Sequence, residues 1–123
     1  MAIFPQHELY KATRNLAVDN VNPGEDILIV TSSDQDTRLI DSLTAAVSAN
    51  NPKSVSTIVI ACPEIFVDFV HPNTVLAAVE KADLTIVATT IRFPRAYDDL
   101  SEVIYKFGKR QVLINNAPIE DFS

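Results

Sequence analysis

The stretch Asp26-Ile27-Leu28-Ile29-Val30-Thr31 decides the fold. Its apolar residues follow one another without in-and-out alternation, so the strand they form is covered on both faces, as strands of a parallel sheet are. Upstream, Asn22-Pro23-Gly24 makes a turn. Before it, the spacing predicts a helix from Gln6 to about Val18, with Leu9, Ala12, Thr13, Leu16 and Ala17 as its inward stripe and Asn20 as a left-handed stop. Downstream, Asp34 or Asp36 caps a second helix that turns Leu39, Ile40, Leu43 and Val47 inward and ends at Asn50-Asn51-Pro52.

The same alternation continues to the end of the chain. Val55 to Ala61 reads as a second covered strand, closed by Cys62-Pro63. Pro72 opens a helix carrying Val75, Leu76 and Val79, and Leu84 to Thr89 is a third strand. Pro94 opens a helix with Leu100, Val103, Ile104 and Phe107 on one face, stopped by Gly108, and Gln111 to Asn115 is the fourth strand. Strands separated by helices of this length imply right-handed βαβ units. The expected architecture is a single α/β domain over 1–123, Rossmann-like and three-layered, with a mainly parallel four-stranded sheet. The favoured strand order is 2-1-3-4, which puts a topological switch point between the first and third strands.

Composition narrows the function classes. The chain has 123 residues, a size that supports one buried core, and a net charge of −6. That charge argues against a nucleic-acid groove or an anionic membrane surface, both of which need clustered Lys and Arg. Lys109-Arg110, the only adjacent basic pair in the sequence, follows the last helix and is expected to face that helix's negative C-terminal end. The opening Met1-Ala2-Ile3-Phe4-Pro5 lacks the features of a secretory signal, and no apolar run reaches the roughly 20 residues that span a bilayer. One cysteine, Cys62, excludes an intramolecular disulfide. The expected location is the cytoplasm.

In such a fold ligands bind beyond the carboxyl ends of the strands. The loop Thr31-Ser32-Ser33-Asp34-Gln35-Asp36-Thr37 is rich in hydroxyls but contains no glycine, and it puts carboxylates where a phosphate would sit. It reads as a helix cap and polar loop. The chain's only glycines are Gly24 and Gly108, so no dinucleotide fingerprint is present. A phosphoacceptor aspartate at the end of the third strand is replaced by Thr89 or Thr90. His7 and His71 have no spaced metal-binding partners, His71 reads as a helix cap, and Cys62 reads as a small buried hydrophobe. Arg92 and Arg95, flanking Phe93-Pro94, are placed to meet an anionic ligand or Asp34 and Asp36 across the switch point. The ligand-binding candidates are therefore Ser33, Asp34, Asp36, Arg92 and Arg95. In Glu64-Ile65-Phe66-Val67-Asp68-Phe69-Val70, the apolar Ile65, Phe66 and Phe69 read as a short extra strand or core flap, or as a surface for another domain or subunit.

Several soft motifs add a resemblance that spans nearly the whole chain. Val21-Asn22-Pro23-Gly24-Glu25-Asp26-Ile27-Leu28-Ile29-Val30, the aspartate-rich Asp34-Gln35-Asp36, Glu80-Lys81-Ala82-Asp83-Leu84, Phe93-Pro94-Arg95-Ala96 and Ala117-Pro118-Ile119-Glu120-Asp121-Phe122 follow one another in order. Together they resemble the N-terminal domain of the aminopeptidase T type metallo-aminopeptidases and the related 2,5-dihydroxypyridine dioxygenases. The histidine often found just before the Arg95 segment in that family is missing here. The resemblance implies a non-catalytic domain that shapes or covers a site carried elsewhere, because the family's divalent-metal ligands and acid/base carboxylate belong to a larger C-terminal domain. No catalytic residue, metal ligand or cofactor is carried over to this chain. On this expectation the chain is the N-terminal part of a larger architecture, and its partner is its own C-terminal domain or a homo-oligomer. The alternatives are a stand-alone small-molecule-binding or oligomerising α/β module, or a small enzyme built on Asp34, Arg92 and Arg95 for an anionic substrate.

Overall fold

The computed structural model describes residues 6–61, 70–90 and 98–114. Among them, helices and strands alternate: α1 (Gln6–Asn20), β1 (Asp26–Ser32), α2 (Thr37–Ser48), β2 (Ser54–Ile60), α3 (Asn73–Lys81), β3 (Leu84–Ala88), α4 (Asp98–Lys106) and β4 (Arg110–Leu113). The sheet is parallel throughout, in the order β2-β1-β3-β4. Fold class and strand order are those the sequence predicts.

The three layers follow from how the strands deal out their side chains. Ile27 and Ile29 of β1 and Leu84, Ile86 and Ala88 of β3 pack with Ala17 and Val21 at the end of α1 and with Leu43 and Val47 of α2. Leu28, Val30 and Val87, one residue out of phase, pack with Val75 and Val79 of α3 and Leu100 and Ile104 of α4. Successive strand residues point to opposite faces, so an unbroken apolar run supplies two cores at once. Each fully buried Val, Leu or Ile contributes about 1.5–3 kcal/mol relative to leaving it exposed.

The helix layers are also tied by polar side chains. Between α1 and α2, the hydroxyls of Thr13 and Ser42 meet at 2.7 Å in the core, and Thr13 Oγ1 also donates to the Leu9 carbonyl at 3.0 Å. Between the starts of α3 and α4, the Asp99 carboxylate takes the backbone N–H of His71 at 2.8 Å and sits 2.8 Å from His71 Nδ1. The His71 side chain is fully buried, so its role exceeds the simple helix cap expected from its place before Pro72. Pro72 is the N-cap of α3 rather than its first helical residue.

Several other local expectations are corrected. Asn20 is not a left-handed stop: it closes α1 in helical conformation, and its side-chain amide donates to the Leu16 carbonyl at 2.8 Å. The left-handed residue near that turn is Gly24, with φ +82°. Ala12 is exposed, so the inward stripe of α1 is Leu9, Thr13 and Ala17, with Leu16 half-buried. Among the described residues the covered strands are β1 and β3. β2 and β4 are the sheet edges, and most of their residues keep contact with solvent. The Lys109 backbone N–H caps α4 on the Ile104 carbonyl at 2.9 Å, but the side chains of Lys109 and Arg110 are engaged elsewhere. Lys109 Nζ lies 3.7 Å from Asp83, while Arg110 donates to the Asn20 carbonyl at the end of α1 (2.8 Å) and pairs with Glu25. The cationic end of that residue does meet a helix C-terminus, but the neighbour's. Pro94 and Asn115 lie outside the described residues.

Candidate functional site

The crossover after β1 runs through α2 on one face of the sheet, and the crossover after β3 runs through α4 on the other. Strand ends that diverge in this way are where open α/β sheets bind ligands. Here the point lies between Thr31-Ser32 and Ala88-Thr89-Thr90, with Thr31 opposite Ala88 in the register.

The residues at this point are polar, buried and mostly neutral. Thr31, Ser32, Gln35, Thr89 and Thr90 are all buried. After β1, the Ser33 N–H donates to the Ile60 carbonyl at 2.9 Å, which prolongs the ladder with β2 by one bond. The Gln35 N–H returns to the Ser32 carbonyl at 3.0 Å, closing a turn. That turn aims the Gln35 side chain across the strand ends. Its Nε2 donates to the Ala88 carbonyl at 2.8 Å and its Oε1 accepts the Asp36 N–H at 2.9 Å. Thr31 Oγ1 donates to the same Ala88 carbonyl at 2.9 Å. Two side-chain donors thus converge on one carbonyl oxygen. Gln35, only 7% exposed, spans from the β1 loop to the end of β3.

The candidates drawn from the sequence divide. Asp34 stands at the switch point, where Thr90 Oγ1 donates to its Oδ2 at 2.7 Å. Ser33 is on the same turn with its side chain exposed. Asp36 belongs to α2: it is the N-cap, accepting the Arg38 N–H at 2.8 Å, and Arg38 Nη2 pairs with its other oxygen at 2.8 Å. The Arg38 guanidinium, hydrogen-bonded to this carboxylate, holds its pKa below the usual 3.8, against the opposing effect of burial; the Arg38 backbone N–H and the guanidinium charge act in the same direction. Arg92 and Arg95, and the interface candidates Ile65, Phe66 and Phe69, lie outside the described residues, as does Cys62.

Gln35, Thr90 and the His71–Asp99 pair were not expected from the sequence. A glutamine between two aspartates gives no local sign that it will fold back over a strand end. Asp99 lies 28 residues from His71, and only the packing of α3 against α4 joins them. Thr89-Thr90 did carry a signal, since two hydroxyls directly after an apolar strand in such a fold fall at its carboxyl end.

Among the described residues, no three His, Cys, Asp or Glu side chains converge to hold a metal ion, and no helix is long and apolar enough to cross a membrane. Compared with known protein families and with curated proteins, the chain matches no family model and no curated protein.

Proposed function

We propose that this chain is a non-catalytic α/β domain whose role is to shape or cover a site carried by another domain. One observation carries the reading: Gln35 occupies the switch point with both ends of its amide engaged, on the Ala88 carbonyl and the Asp36 N–H. A binding crevice in such a fold leaves its polar groups to the ligand. In this chain those of Thr31, Gln35 and Thr90 bond protein groups instead. The soft resemblance of Val21 to Val30, Asp34 to Asp36 and Glu80 to Leu84 to the N-terminal domain of aminopeptidase T type and 2,5-dihydroxypyridine dioxygenase-like enzymes supports the same reading. In those enzymes the divalent metal belongs to the C-terminal domain, so the partner on this reading is the chain's own C-terminal domain. The acidic composition and single cysteine support work in the cytoplasm.

The test is to incubate the chain with Zn(II), Mn(II), Co(II) or Fe(II), supplying an aminoacyl anilide or 2,5-dihydroxypyridine. Turnover should not exceed that of the metal alone. Any excess puts a reactive centre in this chain and overturns the proposal.

A second reading, a small-molecule-binding module, is favoured by Thr89. Its Oγ1 is buried and has no hydrogen-bond partner among the described residues. Leaving such a group unpaired costs about 1–3 kcal/mol, which a polar ligand at the end of β3 would offset. Thr85 shares the feature in mid-strand, flanked by β1 and β4, where a ligand has no access. An NMR titration with neutral polyols and amides separates the two readings. Shifts centred on Thr89 and Thr90 favour the binding module, and their absence favours the scaffold.

A further inference from the structure

Among the described residues β2 is an edge strand, and its chemistry differs from that of most exposed edges. The seven residues Ser54-Val55-Ser56-Thr57-Ile58-Val59-Ile60 contain no charge, no proline and no glycine, and five of them are β-branched. Val59 is 60% exposed. Native edges are normally protected by charge, proline, a bulge or shortness. The opposite edge, β4, follows that rule, with four residues beginning at Arg110.

The direction of the peptide groups that have no strand partner among the described residues can be read from the ladder. The Ile60 carbonyl accepts from Ser33 N–H and the Ser54 N–H donates to Glu25, so Ser54, Ser56, Ile58 and Ile60 turn their backbone groups toward β1. Val55, Thr57 and Val59 therefore turn theirs outward. By the same alternation their side chains share one face of the sheet, the face on which Val55 packs with α2.

We infer that β2 pairs with β2 of a second copy of this chain, antiparallel about a two-fold axis at Thr57, to give a continuous eight-stranded sheet. The strand is self-complementary in this register. Thr57 meets its own counterpart, and Val55 meets the partner's Val59 on both sides of the axis. All three pairs are of the type that exchanges both N–H···O bonds. Cross-strand Thr–Thr and Val–Val pairs are favourable neighbours. Charge also selects a like partner: Lys53 comes opposite Ala61, so two chains of net charge −6 meet along a seam with no like charges opposed. A charged strand would find no counterion there. The area is modest, since one strand seam supplies only part of the roughly 800 Å² per partner of a standard interface. The expected dimer is accordingly weak, with a dissociation constant on the order of micromolar or above.

Sedimentation velocity of the chain from about 1 µM to about 1 mM, a range bracketing weak association, should show a reversible monomer–dimer equilibrium. Thr57→Lys and Thr57→Glu, at an exposed position that leaves the β1 ladder intact, should each weaken self-association about tenfold or more by setting like charges at the axis. An equimolar mixture of the two should restore a heterodimer. Thr57→Pro, which removes only an outward N–H, should abolish dimers while circular dichroism stays unchanged. A chain that stays monomeric at the highest concentration overturns the inference. So does a dimer indifferent to all three substitutions, or an assembly that keeps growing rather than stopping at two.

Discussion

The two ends of the one sheet are built on opposite chemistry. At the amino end, charged side chains clamp the strand starts: the Asp26 N–H donates to Asp83 at 2.8 Å, Ser54 Oγ donates to Asp26 at 2.6 Å, Lys109 approaches Asp83, and Arg110 pairs with Glu25. These groups are partly or fully open to solvent. At the carboxyl end, Thr31, Gln35 and Thr90 make neutral or singly charged hydrogen bonds in near-complete burial. The difference shows that charge density is a poor guide to the functional end of this fold. Ions collect where water screens them and each exposed pair contributes about 0–1 kcal/mol. The end defined by topology as the place for a ligand is held mainly by uncharged groups, where each buried bond broken costs about 1–3 kcal/mol because its partner is left buried.

The sharpest way to break that comparison is at Gln35. Replacing it with Leu keeps most of the volume but removes both hydrogen bonds, leaving the Asp36 N–H without its acceptor. We expect a loss of about 2 kcal/mol in urea unfolding, with the slope of the transition unchanged. A loss below about 0.5 kcal/mol, the usual size of a surface effect, would mean that the carboxyl end is no more tightly held than the amino end.

How much of this was legible in the sequence depends on the range of the interactions involved. Periodicity is local, so β1, α2, β3 and the core faces of Leu43, Val47, Leu100 and Ile104 could be read directly. The strand order followed because parallel strands joined by right-handed crossovers leave few arrangements. Edge exposure could not be read in the same way: Val55-Ser56-Thr57-Ile58-Val59 looks as apolar as a central strand, and only its place at the end of the order leaves it open. The site was legible as a position, the loop after β1, but not as a network. Gln35 reaches Ala88, 53 residues away, and Thr90 reaches Asp34 across 56. Nothing local encodes such pairings. Asp36 was within reach, because an aspartate just ahead of a helical run is a cap on local grounds alone.

Asp36 gives the intermediate effect, and it is the point at which charge does matter at the carboxyl end. Asp36→Ala should cost about 1 kcal/mol at neutral pH through loss of the cap, whereas Asp36→Asn should cost much less. The pH dependence has a definite sign. The folded-state pKa of Asp36 is depressed below 3.8, so its ionised form contributes stability that is fully present above the unfolded value and fades as pH falls through the folded one. The stability gap between the parent chain and Asp36→Ala should therefore be constant above about pH 5 and narrow below pH 4. A gap that widens on acidification would show that Arg38 does not hold this carboxylate in its ionised form.

The smallest effect belongs to the amino end. Lys109 Nζ is 3.7 Å from Asp83, at the long limit of an ion pair, and both side chains are partly exposed. Its attraction competes with the entropy of holding a long side chain in place, so Lys109→Ala should cost no more than about 0.5 kcal/mol. Salt distinguishes this pair from the bonds at the other end. At about 1 M NaCl the screening length falls to about 3 Å, shorter than the pair itself. The Lys109→Ala difference should vanish there, while the Gln35→Leu difference persists because no ion screens a buried amide from a carbonyl. If both differences fell together with salt, the division of the sheet into a screened end and a buried end would be wrong, and the carboxyl end would be open to solvent and its ions after all.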